Sequence, residues 1–411
     1  MFTPEQQAKI RQKDAVTPDA LKRDPFAHYC EGYFHVTLCV KDKAPLLGQL
    51  AGNPEVKEGA DAPHIVPTAV GQAVIKSWEA NARFYPCAEF LAFQLMPEHV
   101  HGLIHLKPGN TKHLGQIVRG FMIGCTHGYW DTRGLPWRQQ TYVKGVRTSE
   151  YNDRDHTRSF RGPSLFVRGY NDVQAVTPEQ VQIKIDYIRS NPLRRLMKAA
   201  RPDIFRICRN QTSANWTPER IRRGLLADGF FSRNPQAAEE AFQSVASRLN
   251  LSQGSDPLVP DARLALDYIG NRSLLLAPRK VSLICHRADA SLFERQAQAV
   301  REAARNGAVV VSAFISPRER AIKKQILEEK LPLIEIIDNG FSTRYKPYGQ
   351  NFNACGEERL LQLSPWTYLF QRETVISRAM CLTMNELVRL VSGQPDDWWK
   401  QTSYPYNLIT S

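Results

Sequence analysis

None of the eight cysteines stands in a CxxC pair, so neither a zinc ribbon nor a redox dithiol is indicated. Scattered through the chain, several within apolar segments, they read as reduced core thiols in a reducing compartment rather than a disulfide scaffold. No stretch approaches the roughly 20 uninterrupted apolar residues that a membrane span requires. The opening MFTPEQQAKIRQKD is polar and helical rather than signal-like. The expectation is a soluble cytoplasmic chain with no membrane partner. Carboxylates are also in deficit, 41 Asp and Glu against 54 Lys and Arg, giving a formal charge of +13. Such a surplus favours a polyanionic partner, because displaced counterions drive Lys and Arg onto phosphates. The basic residues gather in VRGFM, DRDHTRSFRG, YIRSNPLRRLMKAARPDIFRICRN and ERIRRG.

At 411 residues the chain exceeds one ordinary core. YFHVTLCV (33–40) reads as a strand, PTAVGQAVIKSWEANAR as a helix, and AEFLAFQLMPEHVHGLIHL as two strands, 88–95 and 99–106, turning at Pro97. KHLGQIVRGFMIGCTHGYW reads as a further helix, and 131–163 as a loop or insertion. This order describes a small antiparallel sheet with helices on one face. TPEQQ at 3, TPEQV at 177 and TPERI at 217 share an N-cap Thr and a first-turn Pro, and the first two add the Gln of a capping box. Gly, Ser, Pro and Asp cluster in 249–262, the expected linker. Domains are therefore expected at 1–248 and 263–411. Beyond the linker, KVSLICHR, AVVVSAF and PLIEIIDNG alternate with two amphipathic helices, the βαβαβ signature of a parallel, doubly wound sheet.

MPEHVHGLIHL (96–106) places His99 and His101 two apart in an apolar strand. Residues so spaced share one face, roughly 6 to 7 Å apart, so two imidazoles can converge on one ion. His105 shares their parity but lies too far along the strand to join them. Glu98 alternates to the other face and is read as structural or supporting. In TPEQVQIKIDYIRSNPLRR, Val181, Ile185 and Ile188 form an apolar stripe. Tyr187 and Asn191 share a face about 100° away, together with Gln180 and Lys184.

With YFHVTL, MPEHVHGLIHL and DYIRSNPLRR in that order, residues from about 33 to 200 resemble the single-tyrosine HUH transposases, in particular the REP-associated tyrosine transposases. The resemblance implies an α+β HUH endonuclease domain. It makes His99, His101 and Asn191 ligands of Mg2+ or Mn2+, and Tyr187 the nucleophile that cleaves single-stranded or hairpin DNA through a 5′-phosphotyrosine. A phenol titrates near 10 and needs nearby positive charge or a base to attack at neutral pH. Lys184, one turn before Tyr187, is expected to assist, and Arg189, Arg194 and Arg195 to contact the DNA backbone. Trp130, Trp137 and Phe166 are read either as base-stacking groups or as loop and core anchors. Tyr170 and Tyr151 are the reserve nucleophiles. The segment 42–72, the basic loop 138–170 and the C-terminal half exceed what compact family members need. The expected function is metal-dependent strand cleavage and transfer, as in DNA transposition, with the protein associated with the nucleoid when bound. The alternatives are a non-catalytic or domesticated DNA-binding regulator and a water-using phosphohydrolase. Oligomeric state stays open between monomer and homodimer.

The C-terminal part, from VVVSAFISPRER through LPLIEIIDNGF to ACGEERLLQLSPW, is similar to the Rossmann-like domain of DNA-processing protein A. That implies an α/β Rossmann-like domain with a single-stranded DNA or nucleotide-like ligand near Ser312, Ser316, Arg318 and Arg320. The strand-to-helix junction at Ser316 could hold a phosphate on free backbone N–H groups, although the glycine fingerprint of dinucleotide binders is missing.

Overall fold

A computed structural model of the chain describes residues 28–135, 162–213, 215–252, 263–369 and 376–401, together with the backbone of two short strands within 142–147. The amphipathic start, Trp137, Tyr151, most of the basic loop and residues 253–262 of the expected linker lie outside the described residues. The chain divides into two units, residues 1–197 and 198–411.

The first unit runs β1 (Gly32–Cys39), β2 (Gly48–Ala51), β3 (His64–Pro67), α1 (Ala69–Phe84), β4 (Ala88–Leu95), β5 (His99–Leu106), α2 (Leu114–Thr132), β6 (Tyr142–Val143), β7 (Val146–Arg147), β8 (Asn171–Ala175), α3 (Pro178–Arg189) and most of α4 (Asn191–Ala200), whose last turn from Lys198 belongs to the second unit. Its main sheet is antiparallel, in the order β4-β5-β1-β8. Period-2 alternation divides the two faces. Phe34, Val36, Leu38, Val100 and Ile104 point to a core closed by Val74 and Trp78 of α1 and by Ile117 and Phe121 of α2. Gly102 belongs to that face because a Cβ there would stand 2.3 Å from the Trp78 ring. The expected strands at 88–95 and 99–106 are present as read. The polar stretch 42–72 contains the β2-β3 hairpin. NDVQA is too polar to signal strand β8, which among the described residues pairs with β1 at the sheet edge.

The second unit contains β9 (Cys208–Thr212), α5 (Pro218–Leu226), α6 (Pro235–Ala246), β10 (Ala265–Gly270), β11 (Lys280–Ser282), α7 (Phe293–Arg305), β12 (Val309–Ser312), α8 (Pro317–Glu328), β13 (Leu333–Ile336), α9 (Gln350–Gly356), β14 (Leu360–Ser364) and α10 (Arg378–Ser392). Strands β11 to β14 are parallel and lie in unbroken order, and β10 and then β9 extend the sheet antiparallel beyond β14. The sheet is therefore not doubly wound. The parallel strands never reverse their order, so they form no switch-point crevice of the kind that accepts dinucleotides.

The domain boundary also departs from expectation. Residues 198–248 do not extend the first unit: Trp216, Ile221, Leu225 and Phe242 share a core with Ile334, Leu363 and Leu387. Within the expected linker, Leu249 bridges to Trp366 and Leu251 to Leu264. Among the described residues, no helix is long and apolar enough to cross a membrane.

Candidate active site

The face of the first sheet opposite its main core carries the chemistry. Strand register sets Thr37 opposite His101 and Cys39 opposite His99, with His35 two residues farther along β1. Two central strands therefore present His35, Thr37, His99 and His101 side by side. Helix α3 lies on this face. Its Ile188, fully buried, packs with Leu103 and Ala92, flanked by Val181 and Ile185. That apolar seam fixes the rotation of the helix, and the adjacent Tyr187 turns toward the histidines as the helical offset requires. Thr177 caps α3 by accepting from the Gln180 N–H, with Pro178 in the first turn. The Gln180 side chain accepts from Val176 N rather than closing the capping box on Thr177.

His99 and His101 meet through their Nε2 atoms, 3.1 Å apart, with the rings nearly perpendicular. Their Nδ1 atoms are held elsewhere. His101 Nδ1 lies 3.0 Å from His35 Nε2 and 3.0 Å from Thr37 Oγ1. His99 Nδ1 lies 3.3 Å from the Glu98 carboxylate, which also accepts from Arg195. Burial, helped by His99 and His35, lowers His101 to about 3. Burial and Lys184 lower His35 to about 4. Both rings are neutral at pH 7 and keep a lone pair. Burial works against ionisation of Glu98, but Arg195 and His99 outweigh it and hold the carboxyl below its usual range.

The ring of Tyr187 lies edge-on to His35 and to His101, 5.7 Å between centroids in each case. It remains 38% exposed. The guanidinium of Arg194 sits 5.4 Å from its centroid. Burial lowers the pKa of Arg194, an effect that Tyr187 partly offsets. Burial also lowers the pKa of Lys184.

The Nε2 atoms of His99 and His101, 3.1 Å apart, have the spacing of neighbouring ligands on one ion with bonds of about 2.1 Å. Their anchored Nδ1 atoms repeat the supporting pattern of metal-bound histidines. The set is incomplete by itself: among the described residues, no three His, Cys, Asp or Glu side chains form a cation site. Asn191 does not meet the pair through its amide nitrogen, which donates to the carbonyls of Tyr187 (2.7 Å) and Ile188 (3.3 Å) and caps α3. Its Oδ1 is the atom left to act as a ligand.

Other expected residues fall differently. Arg195, expected to contact the DNA backbone, is ion-paired with Glu98 beside His99. Arg189 is exposed at the end of α3. Glu98 lies beside His99, its carboxylate 3.3 Å from Nδ1. His105 stacks on Tyr33 and bonds Glu89, away from the pair as anticipated. Phe166 and Tyr170 are buried in the first unit's core, so neither a stacking role for Phe166 nor reserve nucleophilicity for Tyr170 survives. Trp130 packs against that core and donates to the Pro163 carbonyl, an anchoring role. His35 and Thr37 were missed, although their alternation with Phe34, Val36 and Leu38 marks them as a polar face.

In the second unit, Ser312 is fully buried and its hydroxyl accepts from Phe314 N. Ser316 caps α8 in a capping box with Glu319. The N–H groups expected to be free there are occupied: Glu319 accepts from Cys285, Ile315 and Ser316. Arg320 donates to the Ile315 carbonyl, and Arg318 lies over Phe293. A protein carboxylate fills the anticipated phosphate position.

No family model matches the chain. A protein of Haemophilus influenzae described only as uncharacterized is 25% identical over 116 residues, which cover 23% of this chain and 59% of that one. This chain thus spans less than two thirds of that relative. Among solved structures, a REP-associated tyrosine transposase bound to a REP hairpin aligns with 42% of this chain and 74% of its own, at 15% identity and a TM-score of 0.27. At that score the likeness carries no argument about fold or activity.

Proposed function

We propose that the protein cleaves and rejoins single-stranded DNA, including the unpaired parts of hairpins, by attack of Tyr187 on a phosphodiester. The observation that supports this reading most directly is the Nε2 pair of His99 and His101, with both Nδ1 atoms anchored and the Tyr187 ring 5.7 Å from His101. His99 and His101, with the amide oxygen of Asn191, would hold Mg2+ or Mn2+. Bound there, such an ion polarises the scissile phosphate and neutralises charge in the transition state.

The remaining work belongs to the chain itself. The seam of Ile188 against Leu103 and Ala92 positions the helix that carries the phenol. Tyr187 oxygen forms a bond to phosphorus as the bond to the 3′ oxygen breaks. The phenolic proton is released to water and the departing 3′ oxygen takes one up. Lys184 and Arg194 would offset the negative charge on the phenol oxygen and the phosphate. The ester conserves the bond energy, so a second strand's 3′-hydroxyl can reverse the step without ATP.

Incubation with end-labelled hairpin and single-stranded oligonucleotides and Mn2+ tests the reading. A denaturation-resistant adduct that disappears in Tyr187→Phe while DNA binding persists is the expected result. Cleavage products without adduct would make water the nucleophile. A shifted but uncut band would leave a DNA-binding protein.

A further inference from the structure

In the second unit, an open cleft of about 500 Å3 lies where β9 begins. Lys198, Arg206, Arg209 and Lys346 line it along with Thr343 and Phe205, and no carboxylate belongs to the lining. The cations are held in different ways. Arg209 donates to Asp267 at 2.5 Å and to the Phe341 carbonyl at 2.7 Å, which fixes its guanidinium in the wall. Lys346 Nζ donates to the Phe205 carbonyl, a bond that occupies one of an ammonium's three donors. Arg206 meets Asp203 at 3.1 Å, but both side chains are more than 70% exposed. Such a pair contributes little and yields readily to a better anion. Phe205 is buried and stacks on Phe352, giving the cleft a fixed apolar floor.

Asp267 and Asp203 offset part of the positive charge gathered around the concavity, and an anion in the cleft would be attracted to all four cations at once. The volume falls within the range of about 300 to 1,000 Å3 typical of small-ligand sites, more room than a single phosphate fills. The strand-to-helix junction at Ser316 is not a competing site, since Glu319 occupies it. We propose that this cleft binds a ligand carrying two or more phosphate groups, supplied either by a free nucleotide-like compound or by the backbone of a nucleic-acid strand. The site is independent of Tyr187 and of strand cleavage.

Binding of two probes by the full chain, measured in EDTA so that metal-dependent chemistry is silent, tests this: pyrophosphate by calorimetry and a labelled oligothymidylate by fluorescence anisotropy. Arg206→Ala combined with Lys346→Ala should weaken at least one probe by about tenfold. Loss of pyrophosphate binding identifies a small phosphorylated ligand, and loss confined to the oligonucleotide identifies a strand. Arg233→Ala combined with Arg287→Ala removes two exposed arginines of the same unit outside the cleft lining and should leave both affinities unchanged. Lys346→Gln keeps a donor for the Phe205 carbonyl while removing the charge, so a loss there cannot be attributed to unfolding. No binding of either probe by the unaltered chain, retention of both by the double variant, or an equal loss in the control pair would overturn the proposal.

Discussion

The histidine face of the first unit and the Ser316 junction of the second contain comparable raw material. Each gathers polar groups at the surface of a sheet beneath a helix. At the junction, every group named has an internal partner, because the Glu319 carboxylate accepts the N–H groups of Cys285, Ile315 and Ser316. On the histidine face, the Nδ1 side of each ring is held by the protein, and the two Nε2 atoms meet 3.1 Å apart beside a partly exposed phenol. The difference separates a structural knot from a site: in a site, one half of each polar group is anchored and the other half faces a place where something else can stand.

The largest test of that contrast removes a converging atom. His101→Ala should reduce Mn2+-dependent cleavage by on the order of a hundredfold or more, since removal of a directly stabilising group typically costs at least that; timed denaturing gels read the rate. If cleavage persists at the original rate, the converging pair has no chemical role.

Acid acts on His101 and its neighbour His35. Burial holds His35 near 4 and His101 near 3, below their unfolded value of 6.5. A histidine with a depressed folded pKa stabilises the fold above the unfolded pKa and loses that contribution as pH falls toward the folded value. Between pH 7.5 and pH 5, each should lose about 2 kcal/mol of stability. Urea unfolding followed on the first unit reads this, and a flat pH response would show the rings to be solvated.

At the other region, Glu319→Ala should cost about 3 kcal/mol by leaving three N–H groups without their acceptor. Urea unfolding of the second unit checks it. A variant that is instead restored by millimolar phosphate would turn the knot into an anion site and narrow the contrast. The smallest effect concerns an anchor. Thr37→Val keeps shape while removing one partner of His101 Nδ1, and should weaken Mn2+ binding by about tenfold, as titrated by calorimetry.

Much of the first unit is legible in its sequence because strand periodicity is local. The alternation in HVHGLIHL puts His99 and His101 on one face, and the stripe Val181, Ile185, Ile188 places Tyr187 beside the seam. His35 and Thr37 are a different matter. Their meeting with His101 depends on the register between β1 and β5, strands more than 60 residues apart, and nothing local encodes that pairing. Arg195 and Glu98 are likewise brought together by packing rather than by spacing. The domain boundary was misplaced for a similar reason: the apolar faces of α5 and α6 declare that they must be covered, but not by which sheet. At Ser316 the sequence marks a strand-to-helix junction but does not say what fills it: Glu319, three residues on, both closes a capping box and accepts from the neighbouring N–H groups.

The hydrogen bond between His99 and His101 has a directional consequence. If Glu98 accepts from His99 Nδ1–H, then His99 Nε2 is bare, and His101 Nε2–H must point at it. His101 Nδ1 is then an acceptor for His35 or Thr37. One carboxylate therefore sets the orientation of a proton chain that crosses two strands. Any visitor that demands both Nε2 lone pairs must move the His101 proton to Nδ1, which would then donate to Thr37 Oγ1 or to a His35 whose Nε2 is unprotonated, so occupancy of this face would reverse the hydrogen bonding behind it.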